Sequence, residues 1–454
     1  MTKNALTYAS RNVPRYTSYP TAPHFHGGID GALYADWLRA CPPETELSLY
    51  LHVPFCREIC HYCGCHTKAT RKDAPLIAYA KTLGREIELV AEKLGSARPV
   101  SHIHWGGGTP SLLPQESLLE LAGLLRVSFA LSPDLEHAIE LDPRLVSPGL
   151  AATLAAIGVN RASLGVQDMD PVVQRAIGRV QPYDDVVRAT DALRNAGITA
   201  LNFDLMYGLP HQTSATILDT VARTLELAPS RIALFGYAHV PWMKKHQRLI
   251  DEAALPSPQL RLELAEIARS ALLEAGYEAI GLDHFALSDD SMAIAQREGR
   301  LRRNFQGYTT DTATALIGLG VSSIGLLHQG YVQNASDVGA WERAIEAGRL
   351  PIVRGIAMDD DDRARADIIE RLMTDYEADV AAIATAHGMQ VSAFDESIAK
   401  LDDLVVDGLA LVDGYRVRLT DAGRTYVRIA AAAFDAYLGK AAPTAVVPRH
   451  SMAV

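Results

Sequence analysis

Short runs of β-branched and other apolar residues recur along the first half of the chain, separated by stretches whose apolar positions fall every three or four residues. Leu47 to Val53 (LSLYLHV) and His102 to Trp105 (HIHW) read as strands, as do His137 to Leu141, Arg161 to Val166, Thr199 to Tyr207 and Arg231 to Tyr237. Between the first two, Leu76, Tyr79, Leu83, Ile87, Val90 and Leu94 repeat at helical spacing and predict one buried face. Leu118, Leu121, Leu125 and Val127 suggest the same of a later helix. Strands alternating with helices predict parallel βα units, and such strands need helices over their outer side. Six units are counted, so the expected fold class is α/β, a partial (β/α)6 TIM-like barrel. Loops at the carboxyl ends of barrel strands converge on one mouth, where chemistry collects.

After Tyr237 the pattern changes. A helical stretch near Pro258 to Gly276 leads to a polar, Arg-bearing segment, QREGRLRRNFQGYTT, and then to a Gly-rich IGLGVSSIG. Beyond the acidic spacer MDDDDRARAD, the chain reads as a small, mostly helical C-terminal domain ending in a hairpin-like LALVDGYRVRLT. The expected organisation is an N-terminal arm over 1–45, the barrel over 46–245, a barrel extension over 246–362 and the C-terminal domain over 363–454, with a loose last dozen residues. Gly318-x-Gly320 with Gly325 lacks the spacing and acidic partner of a dinucleotide fingerprint and reads as a packing or turn segment.

At 454 residues, 48% hydrophobic and 21% charged, the composition is that of a soluble protein with a large core. The start, MTKNALTYASRNVPRY, has no secretory apolar stretch, and no run of about 18 apolar residues follows, so a cytoplasmic protein without membrane association is expected. The net charge of −11 and the absence of a Lys/Arg block argue against nucleic acid as a partner. An anionic substrate would need a local arginine cluster.

Four of the five cysteines fall between positions 56 and 65, a poor layout for disulfides and a good one for a metal or cluster. Cys41, alone in a Pro-rich stretch, reads as an ordinary thiol. Cys56, Cys60 and Cys63 present three thiolates from one loop after the first strand, which can hold three irons of a cubane and leave the fourth open. A structural zinc site is the alternative, but it usually draws on two separated ligand pairs, and no second pair exists here. Gly106, Gly107 and Gly108 follow the second strand, where backbone can approach a ligand closely; a plain tight turn is the alternative. Glu140 and Asp142 end the third strand as IELDP, and Asp142 is read as structural. His52, His61 and His66 flank the cysteine loop as hydrogen-bonding groups, and His52, two residues beyond Tyr50, is the one expected to face the site.

The spacing CxxxCxxC, with aromatic Tyr62 before the last cysteine, resembles the radical S-adenosylmethionine superfamily. The resemblance narrows with PRYTSYPTA at 14–22, SLYLHVPFCREICHYCGC at 48–65, HWGGGTP at 104–110, GVQD at 165–168, DLMYGLP at 204–210 and QREGRLRRNFQGYTT at 296–310. Together these strings are similar to the oxygen-independent coproporphyrinogen III oxidase family, from about residue 10 to the end. The resemblance implies one [4Fe-4S] cluster on Cys56, Cys60 and Cys63, whose open iron is chelated by the methionine moiety of S-adenosylmethionine. It also implies that Tyr50, Gly107 and Glu140 contact that first molecule. A second molecule would be bound by Tyr62, Gly108, Thr109, Gln167, Arg179, Asp204, Ala238 and Ile324. Tyr62 departs from the phenylalanine of other members; stacking survives, and the added hydroxyl needs a partner. Cys65 is not counted as a ligand, because a fourth thiolate would block the open iron. It is either a small buried residue or a thiol near the radical that handles hydrogen or electrons.

The substrate implied is coproporphyrinogen III, a flexible tetrapyrrole with four propionates, whose pocket would be broad, partly apolar and rimmed by arginines. Arg15, Arg302 and Arg303 are the candidates for that rim, to which the arm and the extension would contribute; surface solvation is the alternative for each. Phe305 and Gln306 match positions near the reacting side chain, a wall and an orienting amide. Catalytic roles fall to Tyr50, Glu140, Cys65 and Gln306. A flavodoxin- or ferredoxin-type electron donor and a monomeric state are implied as well. Haem-trafficking relatives share the cysteine loop and GGGTP, but carry CDF where this chain has Cys63-Gly64-Cys65 and lack both PRYTSYPTA and RRNFQGYTT. A redox-inert metal-binding scaffold accounts for little of this string set.

Overall fold

The structure, a computed structural model, describes residues 7–8 and 11–439. The chain divides into two compact units, one of residues 27–256 and 313–355, the other of 1–26, 257–312 and 356–454. These units cut across the four segments expected from the sequence. Residues 27–45 and 313–355 go with the barrel, while 257–312 go with the C-terminal region.

In the barrel unit, β1 (Leu47–Val53), β2 (Pro99–Gly107), β3 (Ala130–Leu141), β4 (Arg161–Gln167), β5 (Ala200–Tyr207) and β6 (Arg231–Gly236) lie side by side in sequence order, each pair parallel. These are the six strands expected, with β2 and β3 several residues longer. The Gly-rich segment, expected as a turn, adds strands beyond β1. There β7 (Ala315–Leu319) pairs parallel with β1, β8 (Ile324–Leu327) pairs antiparallel with β7, and β9 (Gly330–Asn334) extends the hairpin. The signal was hidden because glycine interrupts the apolar alternation; a Cβ at Gly318 would sit 2.5 Å from the Ile324 carbonyl oxygen.

Period-two patterning decides what the barrel interior contains. Along β4 and β5, Leu164, Val166, Leu201, Phe203 and Leu205 are buried on the outer face. Ser163, Gln167, Asn202 and Asp204 alternate with them and are half-buried, as is Tyr50 in otherwise buried β1. The interior wall is therefore polar toward the strand ends.

Helix α1 (Gly31–Ala40) is capped by Asp30, and α2 (Ala74–Leu94) buries all six residues predicted for its inner face. On α3 (Gln115–Ser128), Leu118, Leu121 and Leu125 are buried but Val127 is 79% exposed, which corrects the expectation for that residue. Two positions on from Leu125, at about 100° per residue, points Val127 across the helix.

Glu86, on the inner face of α2, is fully enclosed. Its carboxylate accepts from Gly320 N (2.6 Å), Asn334 Nδ2 (2.6 Å) and Trp341 Nε1 (3.0 Å), tying α2 to the turn after β7. Burial outweighs these donors and raises the carboxyl from 4.5 to about 7. An acid with a raised folded pKa contributes stability that is complete below 4.5 and is lost as pH rises through about 7. Denaturant midpoints measured across that window should fall with pH in the native chain and vary less in Glu86→Gln.

In the second unit, the helix Asp360–Asp375 opens on an Asp359 capping box and buries Ile368, Ile369, Leu372 and Met373. Tyr8, Val13, Tyr16 and Tyr19 join this core together with Phe394 and Phe434. The expected hairpin forms from Ala410–Asp413 and Arg416–Leu419, and Glu377–Asp379 adds a third strand. The Arg-bearing polar segment folds as a second hairpin, Arg302–Asn304 against Gly307–Thr309. Among the described residues, no helix is long and apolar enough to cross a membrane.

Candidate active site

The cysteine loop leaves the carboxyl end of β1, where Phe55–Cys56 pairs with Lys68–Ala69. Each of the three sulfurs assigned as ligands meets a donor. Cys56 Sγ lies 3.3 Å from Thr67 Oγ1 and 3.6 Å from Thr109 Oγ1. Buried Cys60 receives Arg179 Nη1 at 3.5 Å, and Cys63 Sγ receives the backbone N–H of Cys65 at 3.4 Å. Such donors suit thiolates that carry charge, and they tune cluster sulfurs in iron–sulfur proteins. Among the described residues, no three His, Cys, Asp or Glu side chains are gathered as a single metal ion requires. The three sulfurs on one loop, each facing its own donor, fit a cluster that spreads its thiolates over different irons. Burial pushes the Cys56 thiol up, whereas a thiol-to-sulfur hydrogen bond from the Cys65 side chain brings Cys63 down to about 6. The Cys65 thiol is pushed up, first by that same bond, and its side chain is exposed.

Backbone carbonyls of the loop are capped from the segment after β6. Gln247 Nε2 donates to Tyr62 O (2.9 Å), His246 Nε2 to Cys63 O (2.7 Å) and Lys244 Nζ to Cys65 O (2.9 Å). At its other end, His61 donates to Ala176 O and His66 to Ser336 O. His61 and His66 are thus loop anchors. The Tyr62 ring packs on Val173, Ile177, Leu209, Tyr237 and Ile250.

Beside the loop, the glycine turn is sterically required. Gly107 has φ +112°, and a Cβ there would lie 2.5 Å from the His52 ring; at Gly108 it would lie 2.5 Å from Phe55 O. Gly107 N donates to Glu140 Oε2 at 3.0 Å, and His104 Nε2 faces Oε1 at 3.3 Å. Burial opposes the Glu140 charge, but His104 and the Gly107 N–H prevail and hold its carboxyl low. The His104 ring also stacks on Tyr50 at 6.0 Å. His52 Nε2 meets His66 O at 3.0 Å, so it carries the proton, and Nδ1 accepts from Tyr50 OH at 3.0 Å. Burial lowers the His52 pKa and keeps the ring neutral.

Arg179 is 8% exposed and donates to Gly165 O (2.7 Å) and Asp142 Oδ2 (3.4 Å) as well as to Cys60. Its Nε is buried without an acceptor among the described residues. Asp142, bound also by Arg144 at 2.6 Å, thereby positions the arginine at the cluster loop. Asp204 accepts from Ser163 Oγ (2.9 Å) and Asn202 Nδ2 (2.8 Å), and Gln167 ends β4 with φ +69°. Gln167, Asp204, Ala238 and Ile324 all lie at or beyond the carboxyl half of β4, β5 and β6 or at the start of β8.

In the second unit, the sequence-adjacent arginines separate, since neighbours on a strand point to opposite faces. Arg302 reaches Glu370 at 3.2 Å. Arg303 lies 4.4 Å over the Tyr308 ring and donates to Tyr16 O and Arg15 O, while its Nη1 is buried without an acceptor. Buried Arg428 donates to Pro14 O and Val13 O. Burial, then Arg15 and Arg303, bring the Arg428 guanidinium down to about 10. Asp283 is held at about 2: burial opposes its charge, but His284, Arg303 and Arg15 overcome it. Arg15, Arg303 and Arg428 thus form one cationic group. Phe305 and Gln306 occupy the hairpin turn and are half-buried.

Sequence reasoning missed His104, Thr67, Arg428 and the Lys244–Gln247 clamp. The alternation of His102 and His104 with Ile103 and Trp105 was legible as an inner-facing pair; the clamp and the lone Arg428 offered no pattern.

Residues 50–223 match the radical SAM superfamily. The oxygen-independent coproporphyrinogen III oxidase of Bradyrhizobium diazoefficiens is 52% identical over 96% of this chain and 96% of its own. That of Salmonella typhimurium is 40% identical over 94% and 93%. The solved structure of coproporphyrinogen III oxidase from Escherichia coli, described as a radical SAM enzyme, overlays with a TM-score of 0.89 at 39% identity, covering 93% of this chain and 97% of that one. A partial barrel bearing the cysteine loop, and identity sustained over nearly the whole length of these relatives, place the chain in the oxygen-independent coproporphyrinogen III oxidase family of radical S-adenosylmethionine enzymes.

Proposed function

We propose that this chain converts the ring A and B propionates of coproporphyrinogen III to vinyl groups without oxygen, giving protoporphyrinogen IX in haem biosynthesis. The reading is carried by one loop presenting Cys56, Cys60 and Cys63 to separate donors, in a chain 52% identical to a relative of that name. Membership of the family implies a [4Fe-4S] cluster and S-adenosylmethionine. When bound, that pair supplies one-electron cleavage of a carbon–sulfur bond to give methionine and a 5′-deoxyadenosyl radical.

The chain's own residues bind, orient and shield. Cys56, Cys60 and Cys63 hold the cluster, with Cys65 left as a donor to Cys63. Tyr50, Gly107 and Glu140 receive the first S-adenosylmethionine, Glu140 accepting from its ammonium or ribose donors. Tyr62, Gly108, Thr109, Gln167, Arg179, Asp204, Ala238 and Ile324 receive a second, and the unpaired Arg179 Nε supports a ligand there. Arg15 and Arg303, with Arg428 behind them, take propionate carboxylates; Arg302 is engaged by Glu370 and contributes at the periphery. Phe305 and Gln306 position the side chain that loses one hydrogen atom, one electron and carbon dioxide. Holding that carbon against the radical and excluding water are the protein's main contributions to rate. The enzyme works as a cytoplasmic monomer served by a flavodoxin- or ferredoxin-type donor.

Anaerobically reconstituted protein, given S-adenosylmethionine, dithionite and coproporphyrinogen III, should form protoporphyrinogen IX and 5′-deoxyadenosine. Stoichiometric haem binding without decarboxylation would favour a haem carrier instead.

A further inference from the structure

Between Glu226 and Asp251 the chain contains no acidic residue, although acids outnumber bases 54 to 43 overall. Within this interval, Lys244, Lys245, Arg248 and His246 cluster in PWMKKHQRLI. Lys245 and Arg248 are exposed and have no ion-pair partner among the described residues. Beside them, Trp242, Met243 and Leu249 are 55%, 65% and 65% exposed, in a protein whose other large apolar side chains are mostly enclosed. Trp, Met and Arg are enriched in protein interfaces, and contiguous exposed apolar groups mark interaction sites.

The segment is an ordered element. Gln247 is 1% exposed; its Oε1 accepts from Val240 N at 2.6 Å, and its Nε2 donates to Ala238 O and Tyr62 O. Met243 N and Lys244 N both donate to Val240 O. The acids that follow are engaged elsewhere, Glu252 accepting from His239 and Asp251 from its own Ala253 N–H. Through Lys244, His246 and Gln247 this surface stands one hydrogen bond from the backbone of Cys65, Cys63 and Tyr62.

We infer that Trp242, Met243, Lys245, Arg248 and Leu249 form the docking surface for a small acidic one-electron carrier protein. The inference rests on the proposed radical chemistry, which requires an electron delivered at the cysteine loop. One electron leaves the reduced carrier, which is oxidised by one unit, and enters the centre held by the cysteines; no bond or proton is exchanged. Electron transfer weakens steeply with distance, and this exposed surface is joined to the Cys63 backbone through the His246 hydrogen bond. Charge complementarity names the occupant: unpaired cations on an otherwise acidic chain attract an acidic protein and orient it, while Trp242, Met243 and Leu249 supply the dry centre.

The test uses the full-length protein and a reduced flavodoxin. In the double variant Lys245→Glu with Arg248→Glu, the Kd for flavodoxin should rise about tenfold at low salt, and its dependence on ionic strength should shrink. Trp242→Ala should weaken association while leaving the salt dependence intact. With dithionite in place of flavodoxin, both variants should turn over like the unaltered protein. Unchanged flavodoxin affinity in both variants would overturn the docking surface. So would a raised KM for the tetrapyrrole under dithionite, which would assign these residues to the substrate. Failure of the unaltered protein to turn over with dithionite would instead sink the proposed reaction.

Discussion

Cys56→Ala, Cys60→Ala and Cys63→Ala should each lose cluster iron and all turnover, whereas Cys65→Ser should keep both iron and sulfide. A cubane held by three thiolates from a single loop has no reserve ligand, because its fourth iron must stay open for the substrate-derived chelate. Cys65 lies close enough to be mistaken for a replacement, yet its backbone N–H points at the Cys63 sulfur and its carbonyl is occupied by Lys244. The Cys65 thiol hydrogen-bonds the Cys63 sulfur, so on the proposed assignment it is a neighbour of a ligand. Iron and sulfide analysis after anaerobic reconstitution, with the visible absorption of the cluster, distinguishes the four variants. Iron loss in Cys65→Ser would show that this division of the cysteines is wrong.

Arg179→Ala should cost both stability and activity. The guanidinium joins three acceptors, Cys60 Sγ, Gly165 O and Asp142 Oδ2, at a buried position. Removing one partner of a buried ion pair costs about 3 kcal/mol, because the remaining charge loses its compensation. Arg144 still holds Asp142, so the loss falls toward the lower end of that mechanism's range. Removing a donor that orients a metal ligand lowers metal affinity or activity about 10–100-fold. Arg179→Lys should recover little, since an ammonium cannot reproduce a planar fork reaching three acceptors at once. Chemical denaturation of the cluster-free protein reads the structural share; S-adenosylmethionine affinity and turnover of the reconstituted protein read the remainder. Full affinity with reduced stability would confine Arg179 to a structural role.

The six barrel strands were legible because short β-branched and apolar runs recur through them, alternating with polar positions in β4 and β5, and α2 was legible through a strict three-and-four repeat. β7 and β8 were not, since Gly318, Gly320 and Gly325 remove the side chains that carry a strand pattern. The three cysteines announced themselves by spacing, and Gly107 by its place after a strand. What escaped was the support around them. Lys244, His246 and Gln247 act on backbone carbonyls from a polar loop, and polar loops have no periodicity to betray which side chain turns inward. Arg428 sits in an alanine-rich stretch where a single cation resembles a solvated one. Arg302 and Arg303 looked equivalent in sequence, but the alternation of a hairpin strand gave them different partners.

The pairing of β1 with β7 also bears on the order in which the protein can be completed. Leu51 has its register partner at Leu319, so the edge of β1 beside the cysteine loop stays unpaired until the ribosome has delivered the later strand. At ordinary rates of synthesis that interval is on the order of tens of seconds. During it, an exposed parallel edge and four nearby thiols coexist on the nascent chain, open to mispairing and oxidation. Cluster insertion on the finished barrel, after β7 has closed that edge, is the sequence of events this topology favours.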